Sequence, residues 1–189
     1  MGRPKLLLPW GKTSVLGHLI QSWRELKAQQ IVVVCAAGDS NIRGELDRLS
    51  FACQNIIENP APQRGMFSSI VCAAQWAGWD PAITHWAIVL GDQPHLQMDT
   101  LHRLISWAAT HPGQVCQPRL HGGLKHPVVI PQEVFVELAG PESNDLKQFL
   151  ANYSIAGCDC DDPGLALDID RPEDYERALA LAGLERKVE

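Results

Sequence analysis

The sequence predicts an α/β protein in which helices cover both faces of a mostly parallel sheet. Short runs of buried-strand character alternate with amphipathic helices along the whole chain, which is the pattern of such a three-layer α/β/α domain. The 189 residues are enough for one sizeable core, and 46% apolar with 20% charged residues is an ordinary globular balance. Since no repeat, low-complexity segment or linker interrupts the pattern, we expect a single domain over residues 1–189.

The helices follow from apolar residues at helical spacing. The first runs from Val15 to Ala28, and Gly38-Asp39-Ser40 provides a cap for a second that ends near Leu49. Pro172 suits the first turn of a final helix that extends to about Ala182. The other predicted helices cover residues 66–76, 98–110 and 143–152.

Two runs of apolar residues predict the strongest strands, Ile31–Ala36 and His85–Leu90. Weaker strand patterns cover residues 55–58, 115–118, 127–130 and 165–169. Ligands of open α/β sheets bind at the carboxyl ends of the strands. The polar residues that follow the apolar runs are therefore the first candidates for a site.

Charge and hydropathy exclude several classes of partner. A net charge of −6 offers no basic surface for nucleic acid or for an anionic membrane. No segment approaches the roughly 20 apolar residues of a membrane span, and the start of the chain does not have the pattern of a secretory signal. We expect a cytoplasmic protein with reduced cysteines. A small anionic substrate would need a local positive site.

Asp92 follows the apolar run HWAIVL and a glycine, Gly91, that permits close backbone approach. A carboxylate fixed at the end of a strand is a suitable oxygen ligand for Mg²⁺. The alternative is that Asp92 caps the helix that begins near Met98.

Asp168 and Asp170 alternate with Ile169, so an extended backbone directs both carboxylates to one face. Two carboxylates on one face repel each other unless a cation lies between them, and a metal ion would supply that cation. The alternative is that Asp170 caps the helix that begins near Pro172.

Three further segments carry candidate binding groups. Lys5 could act as a point charge on phosphate oxygens, or be an ordinary surface lysine. Ser68 and Ser69 lie in the first turn of a predicted helix, where hydroxyl and free N–H groups can bind a base, ribose or phosphate, or simply cap the helix. Lys125 and His126 follow a glycine pair and could line a pocket for an anionic acceptor, or belong to a solvated turn.

The order and spacing of these segments are more specific than each segment alone. The series MGRPKLLLPWG, NPAPQRGMFSSI, GDQP, HPVVIP and LDIDRPEDY resembles the MobA-like nucleotidyltransferase family over essentially the whole chain. It is most similar to the branch that comprises the molybdenum cofactor cytidylyltransferases. The resemblance implies a Rossmann-like sheet of the nucleotide-diphospho-sugar transferase type.

The resemblance also implies a reaction in which CMP is transferred from CTP to the phosphate of molybdopterin, with release of pyrophosphate. Asp92 and Asp170 would bind Mg²⁺, with Asp168 as the other candidate for the second ligand. Lys5 would hold triphosphate oxygens and stabilise the leaving pyrophosphate. The implied nucleotide-binding residues are Gly2, Lys5, Ser68, Ser69, Gly91 and Asp92, and the implied acceptor-binding residues are Lys125 and His126. A molybdoenzyme or its chaperone is a possible further partner.

The chain departs from the family pattern at its start. The family motif is LAAGxSxRMGxPKLLLPW after an apolar strand, and the match begins only at Met1-Gly2. Our hypothesis is that Met1 corresponds to the internal methionine of that motif and that the natural chain begins upstream. The alternatives are guanylyl or sugar-phosphate transfer on the same fold, or a non-catalytic partner that binds molybdopterin or a molybdoenzyme.

Overall fold

The computed structural model describes residues 4–140 and 145–185. Within these ranges the helices are α1 (Val15–Glu25), α2 (Ser40–Arg48), α3 (Met66–Gln75), α4 (Met98–Thr110), α5 (Gln132–Glu137), α6 (Leu146–Leu150) and α7 (Pro172–Leu181). The strands are β1 (Pro9–Trp10), β2 (Thr13–Ser14), β3 (Val33–Ala36), β4 (Ile56–Asn59), β5 (His85–Ile88), β6 (Val115–Leu120), β7 (Gly123–Leu124), β8 (Val128–Pro131) and β9 (Ile155–Asp159). Short 3₁₀ turns cover Lys5–Leu7, Cys53–Asn55, Pro62–Arg64 and Pro163–Ala166.

Capping side chains begin three of the predicted helices, α1, α2 and α6. The Asp39 carboxylate accepts hydrogen bonds from the N–H groups of Asn41 and Ile42, both at 3.1 Å, and so begins α2. Helix α1 ends at Glu25, before its predicted end at Ala28, because Lys27 adopts a left-handed conformation with φ of 62°. The predicted helix over 143–152 is observed as α6, and residues 143 and 144 lie outside the described residues.

The strands form a two-stranded sheet and a five-stranded sheet, with a small hairpin of β1 and β2 beside them. Strands β3 and β4 pair in parallel, from Val33 opposite Ile56 to Ala36 opposite Asn59. In the larger sheet β5, β8, β6 and β7 follow one another as antiparallel neighbours, and β9 pairs in parallel with β6. The α/β class is confirmed, but the pairings are more mixed than in the mostly parallel sheet that the sequence predicts.

A tight turn explains part of this difference. His121 and Gly122 have positive φ values of 49° and 81°, and they reverse the chain between β6 and β7. A two-residue turn of this kind joins antiparallel strands only. The chain then continues directly into β8, which also runs antiparallel to β6.

The sequence-based prediction was wrong for one strand, and it missed helix α5 and the strands β1, β2, β7 and β9. The alternating segment Leu165–Ile169 forms part of a 3₁₀ turn and an irregular stretch, because no described strand lies beside it to complete a ladder. The longest missed strand, β9, has one β-branched residue and a central glycine, so its local pattern is weak. Its pairing with β6, from Val115 opposite Ile155 onward, makes it a strand.

Strands β3 and β5 each have a single strand partner among the described residues, and a gap separates them. Two grooves open from this gap, and both are lined by Val32, Val34 and Trp86. The α1–α4 groove has a volume of about 550 Å³ and is lined by residues of α1 and α4. The α3–α5 groove has a volume of about 300 Å³ and is lined by residues of α3 and α5. The gap between β3 and β5 therefore separates the two-stranded sheet from the five-stranded sheet.

The core is centred on β6 and β8, whose residues Val115, Cys116, Val128 and Ile130 have no exposed surface. Helices α3 and α5 pack against one face of this sheet and α4 packs against the other. Among the described helices, none is long and apolar enough to cross a membrane.

Candidate active site

Asp92 lies two residues beyond Leu90 at the end of the run that begins with β5, as the sequence predicts. The preceding Gly91 is needed for close packing: a Cβ atom on it would lie 2.6 Å from a methyl carbon of Leu6. Without that Cβ, the Leu6 side chain packs directly against the strand exit. This contact brings the N-terminal 3₁₀ turn, and with it Lys5, to Asp92.

The Lys5 ammonium group lies between two carboxylates. Its Nζ is 2.8 Å from Asp92 Oδ2 and 3.2 Å from Asp170 Oδ1. Burial lowers the pKa of Lys5, but the hydrogen bonds and negative charges of Asp92 and Asp170 outweigh it and raise the pKa above its ordinary value. Lys5 is therefore a fixed positive charge in a protein whose net charge is negative.

The two aspartates of the LDID segment have different contacts. Asp170 binds Lys5, whereas Asp168 Oδ1 accepts a hydrogen bond of 2.8 Å from Nε2 of the buried Gln93. Between them Ile169 is fully buried, and its N–H donates to the Asp92 carbonyl at 3.1 Å. Asp168 and Asp170 are therefore exposed to either side of a buried residue even though the segment does not form a strand. The hydrogen bond from the Ile169 N–H holds the segment beside Asp92.

The capping alternatives for these aspartates are wrong. Helix α7 has Arg171 as its N-cap residue, and the Arg171 N–H donates to Asp174 Oδ2 at 3.0 Å. Helix α4 begins after Gln97, whose N–H donates to Asp162 Oδ2 at 2.9 Å. Neither Asp92 nor Asp170 serves as a helix cap, so both carboxylates are available to cations.

The carboxylates fit a hard divalent cation. Asp92 Oδ1 is buried and finds no hydrogen-bond partner among the described residues, although its other oxygen binds Lys5. A buried, unpaired carboxylate oxygen is destabilising unless a cation or donor reaches it. No cluster of three or more His, Cys, Asp and Glu side chains within the described ranges could hold a metal ion alone. A cation here would complete its coordination with water and substrate phosphates, as Mg²⁺ usually does.

Ser68 and Ser69 lie at the start of α3, as predicted, and share a partner that sequence reasoning did not single out. The side-chain Nδ2 of Asn59 donates to Ser68 Oγ at 2.8 Å and to Ser69 Oγ at 3.0 Å. Asn59 is the last residue of β4 and is 1% exposed. The two hydroxyls are thereby held at the carboxyl end of the β3–β4 sheet.

His126 lies on the same side of the molecule as the carboxylates. Burial lowers the pKa of His126, and the nearby Asp168 and Asp92 offset part of that effect, so the ring is neutral near pH 7. Its Nδ1 is buried without a hydrogen-bond partner among the described residues. Lys125 is held by its backbone, since its N–H donates to the Pro118 carbonyl at 2.8 Å and its carbonyl accepts from Gln117 Nε2 at 2.9 Å. The remaining predicted residue, Gly2, lies outside the described residues.

Two buried amides, Gln93 and Asn59, are the site residues that sequence reasoning missed. Both lie inside the motifs GDQP and NPAPQRGMFSSI, in which the sequence points instead to Asp92 and to the two serines. Asn59 directly follows the run IIE at the end of a strand, so the rule that finds Asp92 could also have found it. The signal for Gln93 is its position beside Asp92.

Residues 1–156 match the MobA-like NTP transferase domain family. The chain belongs to this family. The match spans the Lys5, Asn59–Ser69, Asp92 and His126 segments, and the chain is therefore a nucleotidyltransferase. The Asp168–Asp170 segment lies beyond the matched residues.

Known relatives agree with membership of the MobA-like family. The molybdenum cofactor cytidylyltransferase of Escherichia coli K12 is 25% identical over 182 residues, which cover 93% of this chain and 86% of that protein. The crystal structure of Rv0371C of Mycobacterium tuberculosis H37Rv in complex with manganese has a TM-score of 0.67 at 28% identity, covering 95% of this chain and 93% of that one. The molybdopterin-guanine dinucleotide biosynthesis protein A of Archaeoglobus fulgidus has a TM-score of 0.66 at 13% identity, covering 96% and 92%, and shows the shared fold.

Proposed function

We propose that this nucleotidyltransferase transfers the cytidylyl group of CTP to the phosphate of molybdopterin and releases pyrophosphate. The observation that carries the proposal is the Lys5 ammonium group between Asp92 and Asp170. It places one fixed positive charge and two carboxylates together at the carboxyl end of a strand. Such a set suits the triphosphate of a metal-bound nucleotide.

The choice of CTP and molybdopterin is supported by similarity. The E. coli relative, 25% identical over most of both chains, is named a molybdenum cofactor cytidylyltransferase. The GDQP and GMFSS segments also favour the cytidylyl branch. A related structure holds manganese, which supports a divalent cation. We propose Mg²⁺ because the donors are carboxylate oxygens.

In this proposal Asp92 and Asp170 would hold the Mg²⁺ ion, and the unpaired Asp92 Oδ1 would be a ligand. The ion would neutralise charge on the triphosphate. Lys5 binds phosphate oxygens and stabilises the negative charge that develops on the leaving pyrophosphate. The Ser68–Ser69 segment holds the nucleoside, and Lys125 and His126 face the acceptor.

Little proton transfer is required of the protein, because the attacking group is a phosphate oxygen. Catalysis then depends on positioning and on charge neutralisation. All six cysteines are free thiols, which agrees with our proposal that the reaction takes place in the cytoplasm.

Pyrophosphate release with Mg²⁺, molybdopterin and either CTP or GTP tests the proposal. We expect release with CTP well above that with GTP. Asp92→Asn, which keeps the shape but removes the charge, should reduce the rate by about 10²–10³-fold. Asp47→Asn on the exposed face of α2 is the matched control and should leave the rate unchanged.

The opposite results separate the alternatives. Preference for GTP would assign guanylyl transfer to this site. Saturable molybdopterin binding with no pyrophosphate release from either nucleotide would indicate a non-catalytic partner. Full activity of Asp92→Asn would exclude the site described here.

A further inference from the structure

Residues 92–97 and 162–169 lie side by side and run in opposite directions. Neither segment is part of a strand, so single contacts hold them together in place of a β ladder. Two of these contacts fasten the end remote from the carboxylates, from the Gln97 N–H to Asp162 Oδ2 at 2.9 Å and from His95 Nε2 to the Gly164 carbonyl at 3.1 Å.

The other end of this pairing carries the carboxylates of the candidate site. The Ile169 N–H donates to the Asp92 carbonyl at 3.1 Å, and Gln93 Nε2 donates to Asp168 Oδ1 at 2.8 Å. The N–H of Asp170 donates to the carbonyl of Asp168 at 3.1 Å. The position of Asp170 therefore depends on where Asp168 is held.

The Gln93 amide is buried, and Asp168 determines its orientation. Gln93 is 6% exposed, and its Oε1 is buried without a hydrogen-bond partner among the described residues. Rotation of the amide by half a turn would place Oε1 against the Asp168 carboxylate, and two acceptors repel each other. A hydrogen bond to a carboxylate is also stronger than one between neutral groups, so this contact fixes both side chains.

The same contact distinguishes the two aspartates of the LDID segment. Gln93 brings a donor to Asp168 without bringing a charge, and the Lys5 ammonium group lies 3.2 Å from Asp170 Oδ1 instead. One carboxylate is thereby occupied by a neutral amide inside the protein. The other is left at the mouth of the site, where its side chain is 70% exposed.

We infer that Gln93 is a positioning residue, which holds Asp168 aside and so presents Asp170 beside Asp92 as the second ligand of the divalent cation. The inference rests on the proposed metal-dependent transfer and deepens it. Gln93 acts through Asp168 and is not itself a ligand. Partners behind the ligands of a metal ion orient those ligands, and their loss weakens metal binding.

Binding of Mn²⁺ to the full chain tests this role without turnover, because the free ion has an electron paramagnetic resonance signal that is lost on binding. Gln93→Leu should raise the Kd for Mn²⁺ by about 10-fold, the lower end of the range for such partners, since Gln93 acts through Asp168. Asp168→Ala, at an exposed position, should raise it by a similar factor. The double variant should bind no more weakly than either single variant, because both changes remove the same hydrogen bond.

Asp168→Asn separates positioning from metal ligation. Its side-chain oxygen still accepts from Gln93, so the Kd for Mn²⁺ should stay within about 3-fold of that of the unchanged protein. Asp170→Asn alters a ligand and should weaken binding more than Asp168→Asn does. Gln132→Leu and Asp161→Ala, both at exposed positions, are the matched controls, and the melting temperature of each variant shows that it is folded.

The outcomes separate this inference from the proposed function. If the unchanged protein binds Mn²⁺ and both Gln93→Leu and Asp168→Ala bind it equally well, the role of Gln93 is wrong and the proposed function stands. If Asp168→Asn weakens binding as much as Asp168→Ala, Asp168 is itself a ligand and the inference is again wrong. A folded, unchanged protein that binds no Mn²⁺ would remove the cation from the proposed function, and this inference with it.

Discussion

The Lys5 ammonium group contacts two carboxylates that are 87 and 165 positions away in the chain. The sequence shows that residue 5 is a lysine followed by an apolar run, but it does not show which carboxylates Lys5 contacts. The contact depends on Leu6, which packs where Gly91 has no side chain. One lysine, one leucine and one glycine together bring the start of the chain to the end of β5.

Replacement of Lys5 by methionine keeps the length of the side chain and removes its charge. We expect the rate of pyrophosphate release to fall by about 10²–10³-fold, because negative charge on the leaving group loses its partner. Lys12→Met, at an exposed position in the same segment, should have no such effect. Undiminished release by Lys5→Met would show that Lys5 only balances the carboxylates.

The lowered pKa values of three histidines predict that the stability of the protein depends on pH. Burial is the main cause that lowers the pKa values of His18, His95 and His126. Below the ordinary histidine pKa of about 6.5 the unfolded chain binds protons that the folded chain resists, so the free energy of unfolding falls with decreasing pH. Each such histidine contributes at most about 1.4 kcal/mol per pH unit in that window.

The measurement is the melting temperature between pH 7.5 and 5.5. We expect it to fall as the pH falls below about 6.5, and His126→Gln should make the decrease smaller. A melting temperature that stays constant over this range would contradict the neutral state assigned to these rings.

The helices of this protein form from local sequence signals, whereas its strands also depend on pairing with distant parts of the chain. Helix α4 forms over Met98–Thr110 as predicted, because its apolar residues recur at helical spacing. Strand β9 has no comparable local signal and depends on β6. Leu165–Ile169 has the signal, but no strand lies beside it in the described part of the chain. Strand formation requires a partner, which periodicity alone cannot supply.

The start of α4 depends on Asp162, which is 2% exposed. Its carboxylate accepts from the Gln97 N–H at 2.9 Å and from the Gly164 N–H at 2.8 Å. Asp162→Ala should destabilise the protein by about 1–3 kcal/mol, because two backbone donors lose their acceptor. In a protein of this size that corresponds to about 2–4 °C in melting temperature for each kcal/mol.

Thermal unfolding of Asp162→Ala beside Asp161→Ala is the direct comparison. Asp161 is the exposed neighbour, and its replacement should change the melting temperature by less than about 2 °C. Equal effects of the two substitutions would mean that the Asp162 bonds do not hold the helix start.

For the molecule as a whole, the main feature is the gap between β3 and β5. Both strands have one edge without a strand partner among the described residues, and apolar grooves lie on either side of the gap. Unpaired strand edges next to apolar surface favour the addition of another strand.

We expect a segment of about six β-branched residues fused ahead of residue 1 to fill the gap. The melting temperature should rise by at least about 2–4 °C, which corresponds to 1 kcal/mol at this size. Amide hydrogens of β3 and β5 should exchange more slowly, because their free edges become paired. The control fusion has proline at alternate positions and cannot donate the ladder hydrogen bonds. Unchanged exchange in both strands would contradict this account of the gap.

The sequence by itself determined the α/β class, the limits of α4, the capped start of α2 and the candidates Lys5, Asp92 and Asp170. These follow from periodicity, capping and the polar residues that end apolar runs, all of which are local. The tertiary structure decided which aspartate shares Lys5 with Asp92, which strands pair, and that Asn59 and Gln93 support the site. Those outcomes depend on contacts between residues far apart in the chain, where packing and hydrogen bonding select one partner among several that the sequence allows.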